Sequence, residues 1–314
     1  MRSNSIPASS WHSEIALPLI AGFLARLAMF PLAHLNNPKL WEYGDIVRDI
    51  LQGKGYSFHW GYRGYDLVLP TAYMLPGQVA VQYLGLGLFG DTLAGHTFIF
   101  LEQVAIGTVF VYAMWRILGL LGFSERARRT GAWLSALYPS FVIAASSFGI
   151  ATAVITINAL FFWSLLTLSS KIRMGRPAYL VAIATGALAG LLTLFRSESY
   201  PLLIAASIII IWQYRATPKL TRYIATTAFT FLLVVSPWII RNYAVFHRFI
   251  PTSSSGGFNF WRGHNRDASG SSWDFDGHPI WTTDSMWNEI EPLKQVDSNV
   301  EFTEDAYHFK KAKE

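Results

Sequence analysis

The chain has no cysteine. Disulfides, thiol nucleophiles and thiolate metal sites are therefore excluded, and any part outside a membrane folds without covalent staples. Charge is scarce too: 14% of residues are Asp, Glu, Lys or Arg, against about 25% in an ordinary soluble domain. The formal net charge of +5 is not a nucleic-acid signal, because the basic residues sit largely in short segments between apolar runs. No glycine-rich run in a strand–helix context offers a nucleotide cradle. The histidines lack metal-ligand spacing, and no internal repeat or matched pair of interrupted helices of the transporter kind is evident.

What the chain has instead is apolar length. Hydrophobic residues make up 52% and aromatics 15%. Seven runs, residues 14–33, 93–118, 132–147, 150–169, 178–195, 200–212 and 223–240, read as membrane spans by the criterion of about 18 apolar residues, the third and sixth being short. The expected fold class is an all-α membrane protein, a multi-spanning helical bundle of about seven transmembrane helices. A large first outer loop and a small mixed C-terminal outer segment complete it. Residues 1–12 are Ser-rich with Arg2 as their one charged side chain at neutral pH, and the run that follows suits a span better than a signal-peptide core.

Basic residues orient the set. Arg126, Arg128 and Arg129 follow the second run, Lys171, Arg173 and Arg176 the fourth, and Arg215, Lys219 and Arg222 the sixth. With alternating spans all three groups share one side, which the positive-inside rule makes cytoplasmic. The chain then sits in the inner (plasma) membrane with residues 34–92 and the tail after Arg241 outside, facing the periplasm or exterior. Residues 67–90 are apolar but interrupted by Pro70 and Pro76, and read as an interfacial or re-entrant helix of the first outer loop. Residues 1–240 form the membrane module and 241–314 an extracytoplasmic segment. In that segment 253–272 is a Gly/Ser/Asn-rich loop, and 284–314 is polar, acidic in its middle and helical near its end.

The candidate chemistry lies where membrane meets water. Apolar Tyr43, Ile46, Val47, Ile50 and Leu51 recur at helical spacing, and Gly53 and Gly55 close the helix. Glu42 and Asp45 share a face of it and offer a general base. The plain alternative is that these acids complement the helix dipole, with Asp49 solvated. Charges inside spans are functional pointers: Arg26 and Glu102 either pair or act, as do Arg196 and Glu198. Arg196 and Arg241, at the same outer face, make a phosphate clamp, with Asn242 beside it. Asn259, Trp261 and Asn265 suit a hydroxyl-rich ligand, through amide hydrogen bonds and a stacking ring.

Several runs together resemble a family. They are Glu42-Tyr43-Gly44 with Gly53-Lys54-Gly55-Tyr56, Phe89-Gly90-Asp91, Ala136-Leu137-Tyr138-Pro139, Gly186 to Leu191 with Leu194-Phe195-Arg196, Pro237-Trp238-Ile239-Ile240-Arg241-Asn242-Tyr243, and the stretch from Gly257 to Asn265. In that order they look like the multi-spanning GT-C glycosyltransferases, in the bacterial branch similar to protein mannosyltransferases and RgtA/B/C/D-like sugar transferases. The resemblance implies an enzyme that moves a sugar from a polyprenyl phosphate to an acceptor glycan, lipid or protein on the outer face. A first-loop carboxylate is the base, and arginines stabilise the departing lipid phosphate. The base maps onto Glu42 first and Asp45 second, although many relatives carry an acid a few residues earlier, where this chain has Asn37, Pro38 and Lys39. Relatives also carry spans beyond the soluble segment, so the resemblance implies a chain that stops short of them. No cofactor is called for, and a divalent cation is left open. The partners are the lipid-linked sugar, the acceptor and membrane lipids, with no nucleic acid. The competing reading is a non-catalytic membrane protein: a lipid-linked-glycan carrier, or a truncated pseudo-enzyme that binds partners.

Overall fold

A computed structural model describes residues 8–59, 68–215, 217, 219–264 and 300–313. Among these residues the fold is all-α, apart from one antiparallel hairpin of β1 (Ser57–His59) and β2 (Val68–Pro70), which pairs Phe58 with Leu69. The helices are α1 (Ala8–Leu27), α2 (Trp41–Leu51), α3 (Pro76–Phe89), α4 (Leu93–Leu120), α5 (Glu125–Leu137), α6 (Pro139–Ile143), α7 (Ala151–Arg173), α8 (Tyr179–Phe195), α9 (Tyr200–Tyr214), α10 (Leu220–Phe246), α11 (Gly256–His264) and α12 (Val300–Lys311).

Three helices, α4, α7 and α10, are long and apolar enough to cross a bilayer, at 28, 23 and 27 residues. A span needs about 20, so the chain is a helical membrane protein. Ile15–Leu27, α8 and α9 are apolar but shorter. Among the described residues three spans are found in this way, and the expected seven are not confirmed. The helix α3 has 14 residues and extends about 21 Å, short of a core about 30 Å thick.

The expected third span is not one helix. Leu137 ends α5, Tyr138 is extended (φ −60°, ψ 121°), and Pro139 opens the five-residue α6. The cause is local: proline disfavours helical backbone at the residue before it and has no N–H to give. The Ser135 carbonyl, four residues before Pro139, therefore has no helical donor. The side chain of Arg26 supplies one. Its Nη2 donates to Ser135 O at 3.3 Å, and its Nη1 to Ala136 O at 3.0 Å and to Gly22 O at 2.9 Å. Arg26 is fully buried and makes no ion pair with Glu102, contrary to one sequence expectation. It caps the broken end of α5, where the helix dipole favours a cation. The run Arg126–Arg129 is helical. It is the first turn of α5, which Ser124 caps by accepting from Ala127 N at 3.4 Å, and Arg128 lies 4.2 Å from the Trp115 ring.

The most extensive helix pairing among the described residues is α8 against α10. Gly186 and Gly190, four residues apart, make the approach. A β-carbon at Gly186 would come within 2.3 Å of the Thr227 carbonyl oxygen, and one at Gly190 within 2.7 Å of Val234 Cβ. This is the small-xxx-small contact of membrane helices. The end of α10 runs on through the whole Pro237–Tyr243 stretch to Phe246. At that end of the bundle α2, the β hairpin, α3, α11 and α12 form a cap. The expected loop at 253–272 is in its described part the helix α11, packed on α12. Glycine is required at 257, where a β-carbon would lie 2.0 Å from Asp305 O.

Candidate functional site

The site is built on α2. Ile46 and Val47 are fully buried in a cluster with Leu40, Phe58, Val79, Phe100 and Phe148, and Tyr43 and Ile50 pack on its edge. This is the amphipathic face that the spacing predicts. Gly53 (φ 79°) and Gly55 (φ 78°) take the left-handed turns after it, which glycine adopts without a Cβ penalty.

The first residue of α2 is held in an uncommon conformation. Trp41 has φ 58° and Phe148 has φ 54°, rare for large side chains. Hydrogen bonds tie these two segments together. Trp41 Nε1 donates to Ser147 O at 2.8 Å. Gln82 Nε2 donates to Leu40 O at 3.1 Å and to Phe148 O at 3.0 Å, and Gln78 Nε2 donates to Phe148 O at 3.1 Å. Both glutamines are fully buried on α3, one turn apart. Sequence reasoning passed over them. The available signal was two amides at i and i+4 in an otherwise apolar helix.

Glu42 follows Trp41 directly. It is half-buried and forms no hydrogen bond or ion pair with a described residue. Asp45 differs: it is half-exposed and bonds Arg48 at 2.9 Å. Asp49 is not solvated as expected. It is 5% exposed and is bonded by Lys54 Nζ at 3.2 Å and Ser57 Oγ at 3.4 Å. Asp91 joins Arg48 (2.7 Å) to His96 Nε2 (2.7 Å). Burial alone would raise its carboxyl, but hydrogen bonds from Arg48 and His96 outweigh that and hold it below the usual range. Asp66, a further acid of the first outer loop, lies outside the described residues.

The two most specific sequence runs meet in space. Arg241 Nη2 donates to Tyr56 O and Nη1 to Thr71 O, both at 2.7 Å, and Nη1 also donates to Asn242 Oδ1 at 2.9 Å. The guanidinium lies 5.1 Å from the Tyr56 ring and 5.4 Å from the Trp238 ring. The Tyr56 hydroxyl donates to Met74 O at 2.8 Å, and burial pushes its phenol well above the usual range. Asn242 is fully buried and donates to Ile250 O at 3.0 Å. Arg241 and Asn242 thus lock the first loop onto the end of α10.

A further lock is Glu301 of α12. It accepts from Thr71 Oγ1 (2.5 Å), Ala72 N (2.9 Å) and Ser254 Oγ. Burial pushes its carboxyl up, while those donors and Arg241 pull it down without cancelling the rise. Nothing in the sequence singled Glu301 out from the acids around it.

The other candidates fall as follows. Arg196 is exposed at the end of α8. It adjoins Phe195, whose ring fills the space beside Gly77 of α3. Leu194 packs with Ala72, Leu75 and Trp238, so Arg196 and Arg241 belong to the same end of the bundle. Asn259 is exposed, and its amide donates to Ser255 O at 2.8 Å. Trp261 is 7% exposed and packs against His308 (5.4 Å) and Phe258 (6.3 Å), so its ring is a wall of the α11–α12 contact. Asn265 and the side chain of Glu198 lie outside the described residues.

Compared with known proteins, the chain matches no family model, no curated protein and no solved structure.

Proposed function

We propose that the chain is a membrane glycosyltransferase that moves a sugar from a polyprenyl-phosphate donor to an acceptor hydroxyl on the outer face of the cell membrane. One observation carries the reading. Asp45, Asp49, Asp91, Glu301 and Asp305 are all bonded within the cap, whereas the half-buried carboxylate of Glu42 is not. It stands on a helix end fixed by Trp41 and Gln82. An unspent carboxylate on a fixed helix end suits a general base: it accepts the acceptor's hydroxyl proton as the new glycosidic bond forms. The lipid phosphate leaves, and its charge is met at the same end of the bundle by Arg196 and by the N–H groups of Arg241 not used on Tyr56, Thr71 and Asn242. Asp45, bonded to Arg48, is the weaker candidate.

The second reading, a non-catalytic lipid-glycan carrier or partner-binding protein, draws on Arg241, Asn242 and Trp261, whose protein contacts give each a structural role. Transfer of a radiolabelled sugar from a total lipid extract, in membranes with the chain and without it, separates the two. Transfer that depends on the chain and disappears in Glu42→Gln supports the enzyme.

A further inference from the structure

An elongated cavity of about 430 Å³ opens between α7, α8, α9 and α10. On α7 its wall runs from Phe161 to Ile172, about 16 Å at helical rise. Leu203, near the start of α9, packs at one end with Phe161 and Leu192, while Tyr214, at the other end of α9, packs with Ile172 and Tyr223. So small a volume spread over that length has the shape of a chain rather than of a compact ligand.

Three of the five hydroxyls on the wall are already bonded within it. Thr185 Oγ1 donates to Val181 O (2.8 Å), Ser207 Oγ to Leu203 O (2.8 Å) and Thr227 Oγ1 to Ala182 O (3.2 Å). Water entering would find few bonds, and polar satisfaction is what holds buried water. Two of the four walls, α7 and α10, are helices able to cross the bilayer, so the cavity lies at hydrocarbon depth. The helix α9 closes it loosely, and Ile204 and Ile208, which line it, are still more than half exposed. The opening is lateral, toward lipid. Tyr200 lies at one end and Tyr223 at the other, residues that favour the headgroup levels.

We propose that this cavity binds one acyl chain of a bilayer phospholipid, which enters between α9 and the bundle and replaces the missing packing of α9. The proposal is independent of the catalytic reading. Its test is photolabelling of the full chain in phosphatidylcholine vesicles doped with a phosphatidylcholine that carries a mid-chain diazirine. Label is expected on the peptides containing Phe161–Ile172 and Tyr223–Phe231, in excess of that on the outward-facing Leu180. Ala206→Phe fills the cavity and should remove most of the excess. Ser207→Phe, also on the cavity wall but more exposed than Ala206, should do the same if Ala206→Phe does not fold. In both variants the label at Leu180 should stay unchanged. Equal labelling of wall and Leu180 peptides, or wall labelling that persists in the filled variants, overturns the site. Retention of an isoprenoid in place of a diacyl lipid, read by mass spectrometry of the purified protein, overturns the assignment of the chain.

Discussion

Arg26 Nη2 donates to the carbonyl of Ser135 at 3.3 Å, the carbonyl that Pro139 leaves without its helical donor. Two residues more than a hundred positions apart thus depend on each other. Arg26→Met should destabilise the protein by about 1–3 kcal/mol for each buried carbonyl left bare. Pro139→Ala restores an N–H to Ser140's neighbour in the chain and lets α5 continue. In that background Arg26→Met should cost less. A double-mutant cycle of thermal unfolding in detergent micelles measures the coupling; additive losses would show that the capping account is wrong.

The contact between α8 and α10 depends on two missing side chains. Gly186→Ala places a methyl against the Thr227 carbonyl oxygen, which is backbone and cannot rotate away. The helices must separate, and overpacking of this kind costs about 1–3 kcal/mol. Ala187→Gly, one position along, is expected to cost about 1 kcal/mol or less through helix propensity alone. Melting temperatures of the two variants should therefore rank with Gly186→Ala the lower.

Two carboxylates give the stability curve opposite slopes. The Asp91 carboxyl is held below its ordinary value, near 4. Its contribution is present above that pH and lost as pH falls through the folded value. The Glu301 carboxyl is raised above its ordinary value, also near 4. Its contribution is complete below that pH and lost as pH rises through the folded value. Asp91→Asn should flatten the acid side of a plot of melting temperature against pH, and Glu301→Gln the neutral side. Glu301→Gln keeps an acceptor for Ala72 and Ser254, so α12 should stay docked at pH 7, as judged by limited proteolysis.

Arg241→Lys tests the lock on the first loop. A lysine keeps the charge but has no planar fork to hold the Tyr56 and Thr71 carbonyls together. The loss of one charged hydrogen bond is worth about 1.5–3 kcal/mol. Stability should fall, and transfer with it, and protease cleavage in the β hairpin should appear. Unchanged proteolysis together with a raised donor KM would assign Arg241 to the lipid phosphate instead of the loop.

These contrasts show where the sequence was legible. Periodicity placed α2, its buried Ile46 and Val47, and its glycine stop, because each is a property of adjacent residues. The apolar runs marked α4, α7 and α10 for the same reason. Arg26 was recognisable as an unusual charge, but its partner was not, since the carbonyls of Ser135 and Ala136 are exposed by a proline break in another helix. The Gly/Ser-rich stretch around Gly257 looked like loop because its glycines serve a close approach to α12 and not a turn. Trp261 looked like a ligand surface and is packed against His308. For Asp49 the deciding fact was Lys54 and Ser57 folding back over it, which composition does not encode. Glu42 was legible as a position, and its lack of a partner among the described residues only as a structure.

The central claim is that Glu42 is the general base, and one comparison tests it most directly. Sugar transfer from polyprenyl-phosphate donor is measured for the wild type, Glu42→Gln and Asp45→Asn at matched membrane abundance, alongside binding of the donor. Removing a general base typically lowers rate by about a hundredfold to ten-thousandfold. The account predicts a loss of that size in Glu42→Gln with donor binding intact, and a milder loss in Asp45→Asn, which weakens only the contact with Arg48. Transfer by Glu42→Gln at the wild-type rate would contradict it.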